Sequence, residues 1–223
     1  MNFLALAQRA SFEAGLQGPG PSATTGQSGM NQHFIDWTRQ AWVDIQLARD
    51  WYFMRKKATF TTTIGDEEYS LADIEVTDFR KWLDLKNQQK IGETVTDESP
   101  LTWMTYEDFE TLYGLGTPST TRPTVVTMSP DDMVIFNTLP DKVYNVTLPY
   151  IKAPQQMADA DDEPTGLAEE LHPIIVWKAL EAYAMFDQSP DVMARYQSQY
   201  PPMFTRMREL YLPKTRIVPS ALA

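Results

Sequence analysis

Asp159, Asp161, Glu163, Thr165 and Glu170 are oxygen-bearing side chains that fall at positions 1, 3, 5, 7 and 12 of a calcium-loop register. Position 6 of such a loop makes a sharp turn and is normally glycine, but this chain has Pro164 there. No helix is expected on the N-terminal flank, so the segment reads as a solvated acidic loop. The chain has two histidines and no cysteine, which excludes structural zinc fingers and leaves only carboxylate-rich metal sites. His33 precedes a tryptophan-rich helix, where capping or exposure is expected. His172 falls in the first turns of an apolar helix and reads as a satisfied structural histidine. No Gly-x-Ser-x-Gly elbow supports a serine nucleophile. The Gly/Pro/Ser/Thr-rich stretch 15–29 lacks a Gly-Lys-Ser/Thr ending and follows no strand, so it is a connector and not a phosphate loop. Asn145-Val146-Thr147 matches a glycosylation acceptor but lies inside an expected strand. Carboxylate pairs for glycoside hydrolysis depend on a separation that sequence does not give. No catalytic, cofactor-binding or metal residue is assigned, and the chain is not expected to be an enzyme.

Helices come first. Phe34, Trp37, Ala41, Ile45, Ala48 and Tyr52 recur at spacings of three and four, which places them on one face of a helix over 34–52, widened by Ile35 and Trp42. Two tryptophans on one stripe need a large apolar partner. A first helix over 2–14, with Phe3, Leu4, Ala7, Ala10 and Phe12 inward, is one candidate. A strongly apolar helix over 167–186 is the other. Packing of the first and last segments makes everything between them an insertion on a helical base. Ser189 caps a final helix with Pro190 at its first position and Val192, Tyr196, Met203, Met207 and Leu210 inward, and Pro201-Pro202 predicts a kink or break.

The insertion carries strand patterns. Ala58–Ile64 and Glu68–Leu71 flank a Gly65-Asp66 turn and read as a hairpin. Val76, Phe79, Trp82, Leu83 and Leu85 leave strand and helix open. Pro100–Met104 is extended, and Thr105 caps a short helix with Asp108 as partner, Phe109, Leu112 and Tyr113 inward, and Gly114 as its stop. A meander of 124–128, 133–137 and 144–151 follows, with Pro149 suggesting an edge or a bulge. The fold class is α+β, a helical bundle of N- and C-terminal helices with a β-rich antiparallel insertion and an extended C-terminal arm. The parts expected are 1–55 and 154–212 for the bundle, 56–153 for the insertion, and 213–223 for the arm.

Thirty acidic and nineteen basic residues give a formal net charge of −11, which disfavours sequence-independent nucleic-acid binding. The longest basic cluster, Arg55-Lys56-Lys57, reads as a solvated helix end. No apolar run is long enough for a membrane span, and the opening residues lack the n- and h-regions of a signal peptide.

Several stretches then stand out in order and spacing. They are Met1-Asn2-Phe3-Leu4-Ala5-Leu6-Ala7-Gln8-Arg9, Ile35-Asp36-Trp37 with Ala41-Trp42-Val43-Asp44-Ile45-Gln46, Tyr106-Glu107-Asp108-Phe109 with Leu112-Tyr113-Gly114, and Leu148-Pro149-Tyr150 before Leu171-His172. The chain resembles, over roughly residues 1–187, the head-to-tail adaptor (connector) proteins of tailed bacteriophages, the short-tailed type in particular. It departs from the pattern at Pro201-Pro202, where the family runs a continuous helix. The resemblance implies a structural ring, commonly a dodecamer, beneath the portal protein in the virion neck. It also implies a tail or tube protein below and packaged DNA passing through the channel. The arm is expected to supply the portal contact through Lys214, Arg216, Ile217, Val218 and Leu222. A different neck or tail-tube role, and a carboxylate-dependent cell-wall glycoside hydrolase, are the alternatives.

Overall fold

A computed structural model describes residues 1–85 and 88–213. Among the described residues five α-helices and nine strands follow in order: α1 (Phe3–Glu13), α2 (Met30–Leu47), β1 (Arg55–Thr61), β2 (Glu68–Tyr69), β3 (Phe79–Trp82), β4 (Lys90–Gly92), β5 (Ser99–Pro100), β6 (Thr102–Trp103), α3 (Tyr106–Tyr113), β7 (Val125–Met128), β8 (Val134–Phe136), β9 (Asn145–Lys152), α4 (Pro173–Phe186) and α5 (Pro190–Tyr211). The architecture is α+β, with helices at both ends and a β-rich middle. It divides into two compact units. One holds Met1–Met54 and the described residues from Pro154 on, and the other holds Arg55–Ala153.

In the helical unit α2 packs on both α1 and α4, and α5 packs on α4. The core is formed by Phe3, Leu6 and Ala10 of α1, Phe34, Ile35, Trp42 and Ile45 of α2, and Ile174, Ile175, Ala179 and Leu180 of α4. Helix α2 is shorter than its pattern suggested. It ends at Leu47, a 3₁₀ turn over Tyr52–Met54 follows, and this turn buries Trp51 while leaving Tyr52 exposed. Trp51 is held there by donating from Nε1 to the Ile45 carbonyl at 2.7 Å. Phe12, expected inward, is 77% exposed, and Leu6 and Ser11 take its place. Helix α5 runs unbroken through Pro201-Pro202. Both prolines lie on its exposed side, where the carbonyls they leave without amide partners face water.

In the second unit β9 is the central strand. It pairs with all seven residues of β1 along one edge, from Arg55↔Ile151 to Thr61↔Asn145, and with β3 and β4 in succession along the other. Pro149 is therefore neither at a sheet edge nor at a bulge. Leu83 N–H donates to the Pro149 carbonyl at 2.9 Å, so the proline nitrogen faces the β3 side, where β3 ends. The Gly65 hairpin does not form: β1 pairs with β9, whereas β2 pairs with β8 in a second sheet ordered β2-β8-β7-β6. Tyr69 holds the turn instead, its hydroxyl accepting from Thr63 N–H and donating to the Asp66 carbonyl. Its ring sits between Phe60 and Phe136, with centroids at 5.3 and 5.7 Å, and joins the two sheets. The β7–β8 hairpin forms as the Ser129-Pro130 turn predicts. The insertion is not purely antiparallel, because β6, α3 and β7 make a crossover that leaves β6 parallel to β7. Thr105 caps α3 as expected, its Oγ1 accepting from Asp108 N–H, but only Phe109 is buried, and Leu112 and Tyr113 are exposed.

Candidate interaction site

The expected calcium register does not assemble. Asp161 accepts from Asn2, and Glu170 pairs with Arg206 at 3.0 Å. Glu163 contributes only a backbone carbonyl, to Gln155. Among the described residues no group of three or more His, Asp or Glu is placed to hold a metal. The segment 154–166 is also not a free spacer: Met157 and Pro164 are buried while Asp159, Asp161 and Glu163 face solvent. Its partner is the helical core. Gln46 Nε2 donates to the Gln155 carbonyl at 3.1 Å, and Gln155 N–H donates back to Gln46 Oε1 at 2.9 Å, so one side chain completes a backbone edge. Gln155 Oε1 accepts from Trp42 Nε1 and from Thr165 N–H. Arg39 Nε donates to the Met157 carbonyl at 2.8 Å. Sequence reading passed over Gln46 and Gln155. The one available signal was a glutamine on the apolar face of a helix, which must find partners there.

The same segment caps α1. Phe3 and Leu4 N–H donate to the carbonyls of Asp162 and Ala160, while Asn2 Oδ1 takes Ala5 N–H. Asp162 Oδ2 accepts from the amides of Ala158 and Asp159 at 2.7 and 2.9 Å, and these bonds hold its carboxyl below the ordinary value of 3.8. A depressed carboxyl stabilises the fold above its unfolded pKa, and that stabilisation is lost as pH falls through the folded value. Asp162→Asn should therefore weaken the neutral-pH fold and flatten the stability curve on the acid side of 3.8, as read by urea melts between pH 3 and 7. An unchanged acid slope would contradict this assignment.

His33 lies inside the first turn of α2, not ahead of it, and stacks on Trp37 with centroids 5.2 Å apart. Trp37 and the 58% exposed Phe186 complete an exposed aromatic patch with it. It adjoins a groove lined by Trp37, Asp44, Glu181 and Met185. His172 is buried, with Nδ1 2.9 Å from the Met1 amine and Nε2 3.2 Å from the Leu167 carbonyl, as a structural histidine. Asn145-Val146-Thr147 lies within β9. Arg55-Lys56-Lys57 is not a helix end but the start of β1.

Lys214, Arg216, Ile217, Val218 and Leu222 lie outside the described residues. The helix that leads to them is fixed at its end. Tyr211 Oη accepts from Ala168 N–H at 2.9 Å, and its ring meets Phe53 edge-on at 5.3 Å. Phe53 in turn stacks on Trp51 and Trp42. The C-terminal segment thus departs from an anchored helix end.

The fold is α+β, and side chains and backbone of the helical unit tie the two ends of the described chain together. A model of the SU10 adaptor protein family matches residues 1–218, and the chain belongs to that family, a phage head–tail adaptor family. No curated protein sequence matches the chain. The expected resemblance is borne out, and with it a structural adaptor role, and no helix among the described residues is long and apolar enough to cross a membrane.

Proposed function

We propose that this adaptor forms a ring beneath the portal protein in the virion neck, extends the DNA channel, and presents the platform on which the tail or tube protein docks. The observation that carries this reading is the family match over 1–218, together with an end-tied helical unit from whose anchored last helix the basic, apolar segment 214–223 departs. A dodecameric ring is the stoichiometry proposed, built from head-to-tail contacts that close. The net charge of −11 suits a channel through which packaged DNA passes without specific binding, because a negative wall repels phosphates. The role requires no cofactor and no catalysis. Lys214, Arg216, Ile217, Val218 and Leu222 are the proposed portal contacts. Light scattering tests this: a chain of low mass alone should form a many-copy ring with the portal ring of the same phage. Deleting 213–223 should leave the circular dichroism unchanged and weaken portal binding at least tenfold. Full portal affinity in the deleted chain would remove the segment from the contact, and no association at any salt concentration would remove the neck role.

A further inference from the structure

Identical copies that each carry a net charge of −11 repel one another unless opposite charges are segregated on each copy and brought together at the contact. The Arg55–Ala153 unit shows such a segregation. Three neighbouring strands of the large sheet gather six of the chain's nineteen cations at one end: Arg55, Lys56 and Lys57 open β1, Arg80 and Lys81 lie in β3, and Lys152 closes β9. Asp78 neutralises Lys56 at 2.6 Å. Among the described residues Lys57, Arg80 and Lys152 pair with no carboxylate, and Arg80 Nη1 is buried without a hydrogen-bond acceptor. Burial, and to a lesser degree the adjacent Lys56, push the Lys152 ammonium down, while Asp78 acts against them.

The smaller sheet carries the opposite sign. Glu67 and Glu68 at β2, with Glu110 of α3, line a cavity of about 230 Å³ walled by tyrosine and phenylalanine rings. Glu107 extends the acidic face along α3. None of these four pairs with a cation among the described residues. Burial, Glu68 and Asp66 hold the Glu67 carboxyl above its ordinary value. Leu112, on the side of α3 away from Glu110, and the 92% exposed Leu115 beyond the helix add apolar area without a partner.

We propose that the basic end of the large sheet, centred on Lys57 and Arg80, docks on the acidic face of a second copy formed by Glu67, Glu68, Glu107 and Glu110. The inference rests on the ring reading above and names its subunit contact. The two patches belong to different sheets of one unit and do not overlap, which is the requirement of a heterologous interface. Charge complementarity between the two patches fixes the register and the partner.

The chain has no cysteine, so introduced thiols can be cross-linked without background. Lys57→Cys and Glu110→Cys chains, mixed on the portal ring and mildly oxidised, should give a cross-linked pair, and neither should pair with itself. The Lys57→Cys/Glu110→Cys chain should give a ladder of covalent multimers. K56E/K57E and E107K/E110K should each lower copy–copy association at least tenfold, and a chain carrying all four reversals should recover it. Circular dichroism confirms that each variant is folded. Portal binding by the unaltered chain without any Lys57–Glu110 cross-link would overturn the interface while leaving the neck role standing. No portal binding by the unaltered chain would instead fail the neck role. Loss of portal binding with copy–copy association retained in K56E/K57E would assign the basic end to the portal and overturn the proposal. Failure of the four-reversal chain to recover would overturn the pairing.

Discussion

Trp42→Ala lowers the stability of the helical unit by about 3–5 kcal/mol, the range for deleting a fully buried tryptophan side chain. Trp42 has no exposed surface and lies where α2 meets the segment 154–166. Three losses add at that position. The indole leaves a cavity that the surrounding helices, α1 and α4 included, close only in part. The donor to Gln155 Oε1 disappears, although Thr165 N–H still serves that oxygen. Phe53, stacked on Trp42 at 6.0 Å, loses one face of its support and with it the ring on which Tyr211 rests. Trp42→Phe keeps most of the volume and removes the hydrogen bond, so it should cost about 1–2 kcal/mol. Phe12→Ala, at a 77% exposed ring, should stay within about 0.5 kcal/mol. Urea unfolding followed by far-UV circular dichroism separates the three. A Trp42→Ala loss below about 1 kcal/mol would mean that the core closes over the gap.

The helices were largely legible because their periodicity is local. Phe3, Ala7 and Ala10, Phe34, Ala41 and Ile45, and Ile174, Ile175, Val176, Leu180, Tyr183 and Ala184 all occupy the inner faces that their spacing assigns. Apart from α5, which runs on through Pro201-Pro202, the misreadings fall at helix ends, where one side chain decides. The Trp51 bond to Ile45 closes α2 and turns Tyr52 outward. The strands were legible as strands but not in their pairing. Arg55–Thr61 and Asn145–Lys152 are separated by more than eighty residues, and no local signal chooses between a Gly65 hairpin and that distant partner. What decides is burial: in register with β9, Ala58 and Phe60 meet Leu148 and Val146 on one face. The charge segregation was hidden for the same reason. Lys57, Arg80 and Lys152 are far apart in sequence and converge only because β9 accepts β1 on one edge and β3 on the other. The Gln46–Gln155 exchange also needs tertiary contact, since nothing in the composition of an acidic linker marks one glutamine as an anchor.

Gly166→Ala should cost about 2–4 kcal/mol, from two separable sources. Gly166 has φ +86, a conformation that an L side chain adopts only with strain. A Cβ there would also lie 2.7 Å from Phe53 Cβ and 3.2 Å from its Cγ. Gly26, at φ +70 with nothing within 4 Å of its Cβ position, provides the control: Gly26→Ala pays the backbone strain alone, about 1 kcal/mol. The difference between the two substitutions is then the cost of moving Phe53. That ring cannot give freely, because Trp42 and Trp51 stack against it and Tyr211 meets it edge-on. In a Phe53→Gly background, which removes the Cβ as well as the ring, the steric part should vanish, and Gly166→Ala should fall to the Gly26→Ala value, a coupling that a double-mutant cycle measures directly. Equal losses for Gly166→Ala and Gly26→Ala in the unaltered background would show that Phe53 is not held. The anchored end of α5 would then depend on the Tyr211–Ala168 hydrogen bond alone.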